Sequence, residues 1–303
     1  MNKSYLLSIL VPTQNRYETL LPLLEYLFNF DNKQVEIIIE DNSENNKMTK
    51  KIRKKISGKK NIKYSFSSKS ISVTDNFNKA LERSSGEYIC SIGDDDGVMP
   101  YAIDIVKWMK NKKIHCLTAM KPDYSWPGQK YSFLSDDVSG VLSFSKFEYS
   151  AHNICTQTEL LKVLSKGGTE MCKLPSVYHG IIKRSALVDL QKISGSFFPG
   201  PSPDIANAIG LTALDLNCYY LDLPLFISGK QVKSGAGMGV NRKHISSIDG
   251  LSHLPKNINQ SWNKKIPKYW TGETIYAQTI ITALENTARH DLIGKLNFPY
   301  LYA

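Results

Sequence analysis

The stretch GEYICSIGDDDGVMP, residues 86–100, decides how the chain is read. Tyr88 to Ile92 form a short apolar run that fits a buried strand, and it delivers the chain directly into Asp94, Asp95 and Asp96. Three adjacent carboxylates repel one another and lose hydration as protein packs around them. A folded chain holds them best where a cation offsets their charge. The competing reading is a solvated acidic turn, because Asp and Gly are ordinary turn residues. The surrounding sequence has to decide.

Upstream, runs of strand length alternate with segments of helical spacing. YLLSILVP (5–12) reads as a strand buried on both faces, and TLLPLLEYLFNF (19–30) follows with leucines on a helical repeat. VEIII (35–39) predicts a second strand, KMTKKIRKKI (47–56) a basic helix, NIKYSF (61–66) a third strand, and TDNFNKALERS (74–84) a helix with Thr74 or Asp75 as its N-cap. EYICSI (87–92) is the fourth strand. Beyond the aspartates, Pro100 suits the first turn of a helix over 100–111, and IHCLTA (114–119) returns to strand. This alternation predicts an α/β chain with a mostly parallel, Rossmann-like central sheet flanked by helices, binding its ligand beyond the carboxyl ends of the strands. Those ends read PTQNR, EDNSEN, SSKSIS and GDDDG, so Thr13, Arg16, Asp41, Ser43 and the three aspartates should collect along one edge.

From about residue 122 the pattern is less regular. GIIKRSALVDL (180–190) predicts a strand and a helix, SPDIANAIGLTAL (202–214) a helix capped by Ser202, and YYLDLPLFIS (219–228) one strand. GKQVKSGAGMGVNRKH (229–244) has the glycines and cations of a mobile loop closing over an anion, and GETIYAQTIITALENTARH (272–290) reads as helix.

Composition bounds the class. The 303 residues are 42% hydrophobic, enough for a real core. No apolar run is long enough to span a membrane, and the apolar N-terminal segment is too short for a signal peptide and is broken by Pro12, so a cytoplasmic protein is expected. Five widely spaced cysteines without a C-x-x-C pair suggest free thiols, not a zinc knuckle or a disulfide framework. The net charge of +10 is concentrated in Lys47–Lys63, where nine cations stand without an acid. A solvated face, an anionic membrane surface or nucleic acid could each account for that run. The lack of interleaved aromatics favours membrane over RNA.

LSILVPTQNR, VEIIIEDNSEN and GEYICSIGDDDGVMP, in this order and each after a strand, resemble the three landmark motifs of the family 2 glycosyltransferases with the GT-A fold. The likeness covers roughly the first 120 residues; beyond them it rests on KRSAL, SPDIANAI and PLFISG. It implies a nucleotide-diphosphosugar donor, here a UDP-sugar, with Mn2+ or Mg2+ and inversion at the anomeric carbon. The expected division is a donor half (1–121), an acceptor-binding and catalytic half (122–254) containing a mobile basic loop (229–245), and a helical C-terminal tail (255–303). The expected nucleotide-sugar set is Pro12, Thr13, Asn15, Arg16, Asp41, Ser43, Asp94, Asp95, Lys230 and Lys233, with Asp41 accepting from uracil and Asp94 near the ribose. Asp95, Asp96 and His244 are the expected metal ligands.

The family's usual first acid is Gly93 here, which leaves the division of labour among the aspartates open. The chemistry agrees with the resemblance, since a departing diphosphate is helped by a hard cation held on carboxylates. A base must also take the acceptor's proton. Asp204, in PGPSPD at a helix start, is the candidate; the alternatives are a mere capping role there, or Asp215 or Asp222 as base. The acceptor is expected to be a glycan or lipid-linked glycan, the enzyme peripheral at a membrane through its basic run, and nucleic acid no partner. Two rivals remain. A nucleotidyltransferase would want a glycine-rich phosphate loop where PTQNRYETL stands, and a nucleic-acid module would use residues 47–63.

Overall fold

The computed structural model describes residues 5–128, 139–234, 245–249, 251 and 253–302. Strand β1 (Leu7–Thr13) lies between β2 (Val35–Asp41) and β4 (Tyr88–Ser91), and β3 (Ile62–Phe66) extends the sheet beyond β2, all four parallel. Every residue of β1 and β2 is buried, and alternate residues feed opposite faces. Ile9, Ile37 and Ile39 join one apolar cluster with Leu20 and Leu24 of helix α1 (Tyr17–Leu27), Ile52 of α2 (Thr49–Lys55) and Val106 of α4 (Ala102–Asn111). Leu10 and Ile38 join another with Phe77 and Leu81 of α3 (Val73–Glu82). Helices on both faces are what such doubly buried strands require.

The sheet is completed by the second half of the chain. After the two-residue β5 (Gly97–Val98) come β6 (Cys116–Met120), β7 (Asp123–Ser125), β8 (Leu142–Ser143), β9 (Ser150–Asn153), β10 (Gly180–Lys183), β11 (Cys218–Pro224) and β12 (Phe226–Lys230). The main sheet runs β3-β2-β1-β4-β10-β6-β11-β9, with β10 antiparallel to β4 and β6 and β9 antiparallel to β11. Strands from both sides of residue 121 are thus interleaved in one sheet. A third cluster joins α5 (Thr156–Ser165), α7 (Pro203–Leu211) and the helix Gly272–Asn286; α6 (Arg184–Ser194) packs on the α3 face.

Several local expectations are corrected. The N-cap of α3 is Ser72, whose hydroxyl accepts from the Asp75 amide, not Thr74 or Asp75. Ser202 precedes α7 without a side-chain cap bond; its hydroxyl donates to Asp204 instead. The single strand expected over 219–228 is two, because the chain leaves the main sheet after Pro224 and resumes in a second sheet ordered β5-β12-β7-β8. The last long helix stops at Asn286, two residues before Ala288 turns to φ 57°.

Candidate active site

The carboxyl ends of β1, β2 and β4 deliver Thr13, Asp41 and the aspartate run to one edge, and the second sheet closes it from above through β5 and β12. None of the three aspartates is a solvated turn residue. Asp94 is fully buried, and Asp95 and Asp96 are nearly so. The cation they require is a side chain: Arg16, at the start of α1, places Nε 3.0 Å from Asp94 Oδ1 and Nη1 3.2 Å from Asp95 Oδ1. The hydroxyls of Thr13 and Thr19 also donate to Asp94. Burial would lower the pKa of Arg16, but the two carboxylates outweigh it and raise it.

The three acids differ in their surroundings. Burial pushes Asp94 up to about 7 against the pull of Arg16. Asp95 is raised by burial and by the neighbouring Asp96 charge; its Oδ2 accepts the Gln231 amide at 3.2 Å, and its carbonyl accepts the Trp126 indole at 2.7 Å. Asp96 is locked in. Its Oδ2 accepts from Tyr178 Oη and the Gly93 amide at 2.7 and 2.6 Å and contacts His179 Nε2 at 2.7 Å, while Oδ1 takes the Gly229 amide at 2.8 Å. Burial works to raise Asp96, but His179 and these donors hold it down at about 2. The other imidazole nitrogen, Nδ1, faces Lys121 Nζ at 3.2 Å. An ammonium only donates, so Nδ1 accepts and the proton toward Asp96 sits on Nε2.

Two glycines make this packing attainable. A Cβ on Gly93 would lie 2.9 Å from Asp95 Oδ1 and 3.0 Å from Asp96 Oδ2, so the position where the family carries an acid has no space for one here. A Cβ on Gly229 would stand 1.8 Å from the Asp95 carbonyl oxygen.

Asp41, at the end of β2, accepts from Tyr64 at 2.6 Å, Tyr17 at 2.9 Å and the Ser43 amide at 3.0 Å. Burial and this carboxylate raise the Tyr64 phenol. Asn15, at φ 57°, donates its amide to Ser43 Oγ and accepts the Glu44 amide, which ties the β1 and β2 turns together. Pro12 pairs with Glu40, past the last β1–β4 pair at Leu10 and Ser91. Lys230 and Lys233, expected at phosphate, pair with Asp123 and Glu18, each at 2.9 Å. His244 and residues 235–243 of the basic loop lie outside the described residues.

Asp204 is half-buried in the first turn of α7, and Ser202 donates to it at 2.7 Å. Its charge is the leading cause of the raised Tyr276 phenol. It also contributes, after burial and the Asp96 and Asp95 charges, to the raised phenol of Tyr178. Asp204 and the acid corner therefore act on a shared tyrosine. Asp215 does not face this edge, since it acts on His115 at the amino end of β6, and Asp222 receives the Glu148 amide at 2.8 Å. Tyr178 and His179 were missed in the sequence because VYHG shows no ligand spacing; the signal available was a histidine wedged before a glycine that begins a strand. A Cβ on that glycine, Gly180, would lie 2.3 Å from the Ser176 carbonyl oxygen.

Could this corner hold a divalent ion? Among the described residues no three His, Cys, Asp or Glu side chains gather as a metal site. Mg2+ and Mn2+ are commonly held by one or two carboxylates together with substrate phosphates and water. Asp95 suits that role better than Asp96, because its two oxygens share Arg16, the Gln231 amide and the Ser234 hydroxyl, which leaves lone pairs to spare. Asp96 Oδ2 is saturated.

A mostly parallel sheet with a carboxylate-lined carboxyl edge, closed by a small second sheet, is a ligand-binding α/β scaffold, and its layout agrees with the GT-A fold that the motifs imply. Residues 8–156 match the family model described as Glycosyl transferase family 2. Among solved structures, the 1–349 fragment of S. aureus TarS in complex with UDP-GlcNAc superposes with a TM-score of 0.57 at 20% identity, over 76% of this chain and 60% of that one. The same fragment in complex with UDP gives 0.54 at 18%, over 75% and 61%. The chain thus spans about 60% of the TarS fragment. No curated protein sequence matches it significantly.

Proposed function

We propose that this chain transfers a sugar from a UDP-sugar to a glycan or lipid-linked glycan acceptor with inversion, its donor lying along the carboxyl edge between Asp41 and Asp95. The observation that carries the reading is the convergence of Asp41, Arg16 and the buried aspartates on one edge, with Asp204 acting on the same Tyr178 that holds Asp96. Asp41, between Tyr17 and Tyr64, offers its remaining lone pairs to a base N–H. Arg16 keeps donors beyond the two it spends on carboxylates, and these suit the diphosphate. Asp95 would hold the divalent ion, which when bound supplies charge stabilisation for the departing diphosphate. Asp204 takes the acceptor hydroxyl's proton, and Ser202 orients its carboxylate. The relatives' complexes with UDP and UDP-GlcNAc support a uridine donor. The match to the glycosyltransferase family model favours sugar transfer over nucleotidyl transfer.

Exposed Cys155 and Cys172 are free thiols, which suits a reducing, cytoplasmic compartment. Among the described residues no helix is long and apolar enough to cross a membrane. A thermal-shift screen of nucleotide sugars with and without Mn2+ tests the proposal. UDP-sugars should raise the melting temperature, and more so with Mn2+. Equal response to all nucleotides, or none to UDP compounds, would reject it.

A further inference from the structure

Helix α2 buries one stripe and leaves another without a partner. Met48, Ile52 and Ile56, four residues apart, pack inward; Lys47, Lys50 and Lys54 project from the opposite stripe with Arg53 and Lys60 beside them, all exposed. These five cations make no ion pair among the described residues. Lys55 and Lys63, by contrast, are tied back to Glu25 and Glu36, and Lys59 lies over the Phe28 ring at 4.2 Å. Folding does not account for the outward stripe. Like charges at i,i+4, such as Lys50 and Lys54, weaken a helix, and α2 has no acid in its first turn to offset Lys50 and Lys51 at the positive end of the dipole.

We infer that this stripe docks on the anionic headgroups of a lipid bilayer. The helix starts at the rim of the candidate site: Thr49 Oγ1 is 3.4 Å from Tyr64 Oη, which donates to Asp41, and Tyr17 Oη donates to the Asn45 carbonyl at 3.3 Å. A bilayer against α2 therefore lies beside the edge where the donor would sit. Charge complementarity selects the occupant. Residues 47–60 contain no aromatic ring on which a base could stack, whereas each basic side chain near an anionic membrane strengthens association by about fivefold. The inference does not depend on the donor or the reaction.

The test is sedimentation of the full chain with phosphatidylcholine vesicles, with and without phosphatidylglycerol, at low and high salt. Lys50→Glu/Lys54→Glu and the milder Lys50→Gln/Lys54→Gln are compared with the parent, and the UDP-induced melting shift reports whether the site is intact. Pelleting is expected with anionic vesicles alone, weakened by salt, and reduced at least about tenfold in the Glu variant with an unchanged UDP shift. Equal pelleting with neutral vesicles, none with anionic ones, or undiminished pelleting of both variants overturns the inference. Retention of an oligonucleotide that anionic vesicles fail to displace overturns it in favour of nucleic acid.

Discussion

Arg16 Nη1 stands 3.2 Å from Asp95 Oδ1 while the same guanidinium touches Asp94, so one side chain spans two buried carboxylates. It is the built-in counter-cation of the corner. Arg16→Met should leave Asp94 uncompensated and cost about 3 kcal/mol of stability. Adding Asp94→Asn should recover most of that loss, because the orphaned charge is gone. Asp95, freed of its partner, should also bind Mn2+ more tightly without nucleotide. Urea unfolding and Mn2+ calorimetry measure the two effects; a variant as stable as the parent would remove Arg16 from this role.

Neighbouring acids should behave oppositely. Asp95→Asn keeps one acceptor oxygen for the Gln231 amide and gives up the one facing Arg16, so it should cost about 1 kcal/mol and lose the Mn2+-dependent part of UDP binding. Asp96→Asn removes the charge that draws Tyr178, His179 and two amides together, and should lower stability by about 3 kcal/mol or more. Melting curves with and without UDP and Mn2+ separate the two. If Asp96→Asn folds normally and only Mn2+ binding fails, the division of labour is reversed.

The parallel order of β1 to β4 and the gathering of Thr13, Arg16, Asp41 and Asp94 to Asp96 were legible, because doubly buried strands and polar strand ends are local signals. What holds the aspartates was not. Arg16 is near in space but 79 residues from Asp95, Tyr178 and His179 come from the turn before β10, and Gly229 comes from β12, two strands the sequence could not order. The insertion of β10 between β4 and β6 is antiparallel and non-consecutive, so no helix–strand alternation announces it. The sheet switch after Pro224 was hidden in a run that reads as one strand.

Gly229 tests the closeness of the second sheet. Its backbone lies against Asp95 where a Cβ would overlap the carbonyl oxygen at 1.8 Å, so β12 must retreat to admit one. Gly229→Ala should cost about 2 kcal/mol and abolish transfer by displacing the amide that holds Asp96. Parent-like melting and turnover would show that the approach is looser than this.

Glu36 anchors the other end of the sheet. Buried in β2, it accepts from Ser8 at 2.7 Å and the Gly86 amide at 3.1 Å and pairs with Lys63 at 2.9 Å. Burial acts to raise its pKa, but these partners outweigh it and lower it. A lowered folded-state value stabilises the protein above the unfolded carboxyl's range and is lost as pH falls through the folded value. Glu36→Gln should therefore cost about 2 kcal/mol at neutral pH, the gap to the parent closing below about pH 4. A gap that persists in acid would assign the loss to packing.

Asp204 decides whether the corner catalyses. Its carboxylate is half-buried, oriented by Ser202 and close enough to raise Tyr178 and Tyr276. Asp204→Asn keeps the shape and an acceptor for Ser202 while removing the base. Donor binding should be unchanged and transfer should fall by about a hundredfold to ten-thousandfold, with the loss in kcat. Ser202→Ala should cost far less, because it loosens the carboxylate without removing it. UDP release in the presence of acceptor, set beside UDP calorimetry, separates the two steps; an Asp204→Asn variant that turns over at the parent's rate would place the base on another residue.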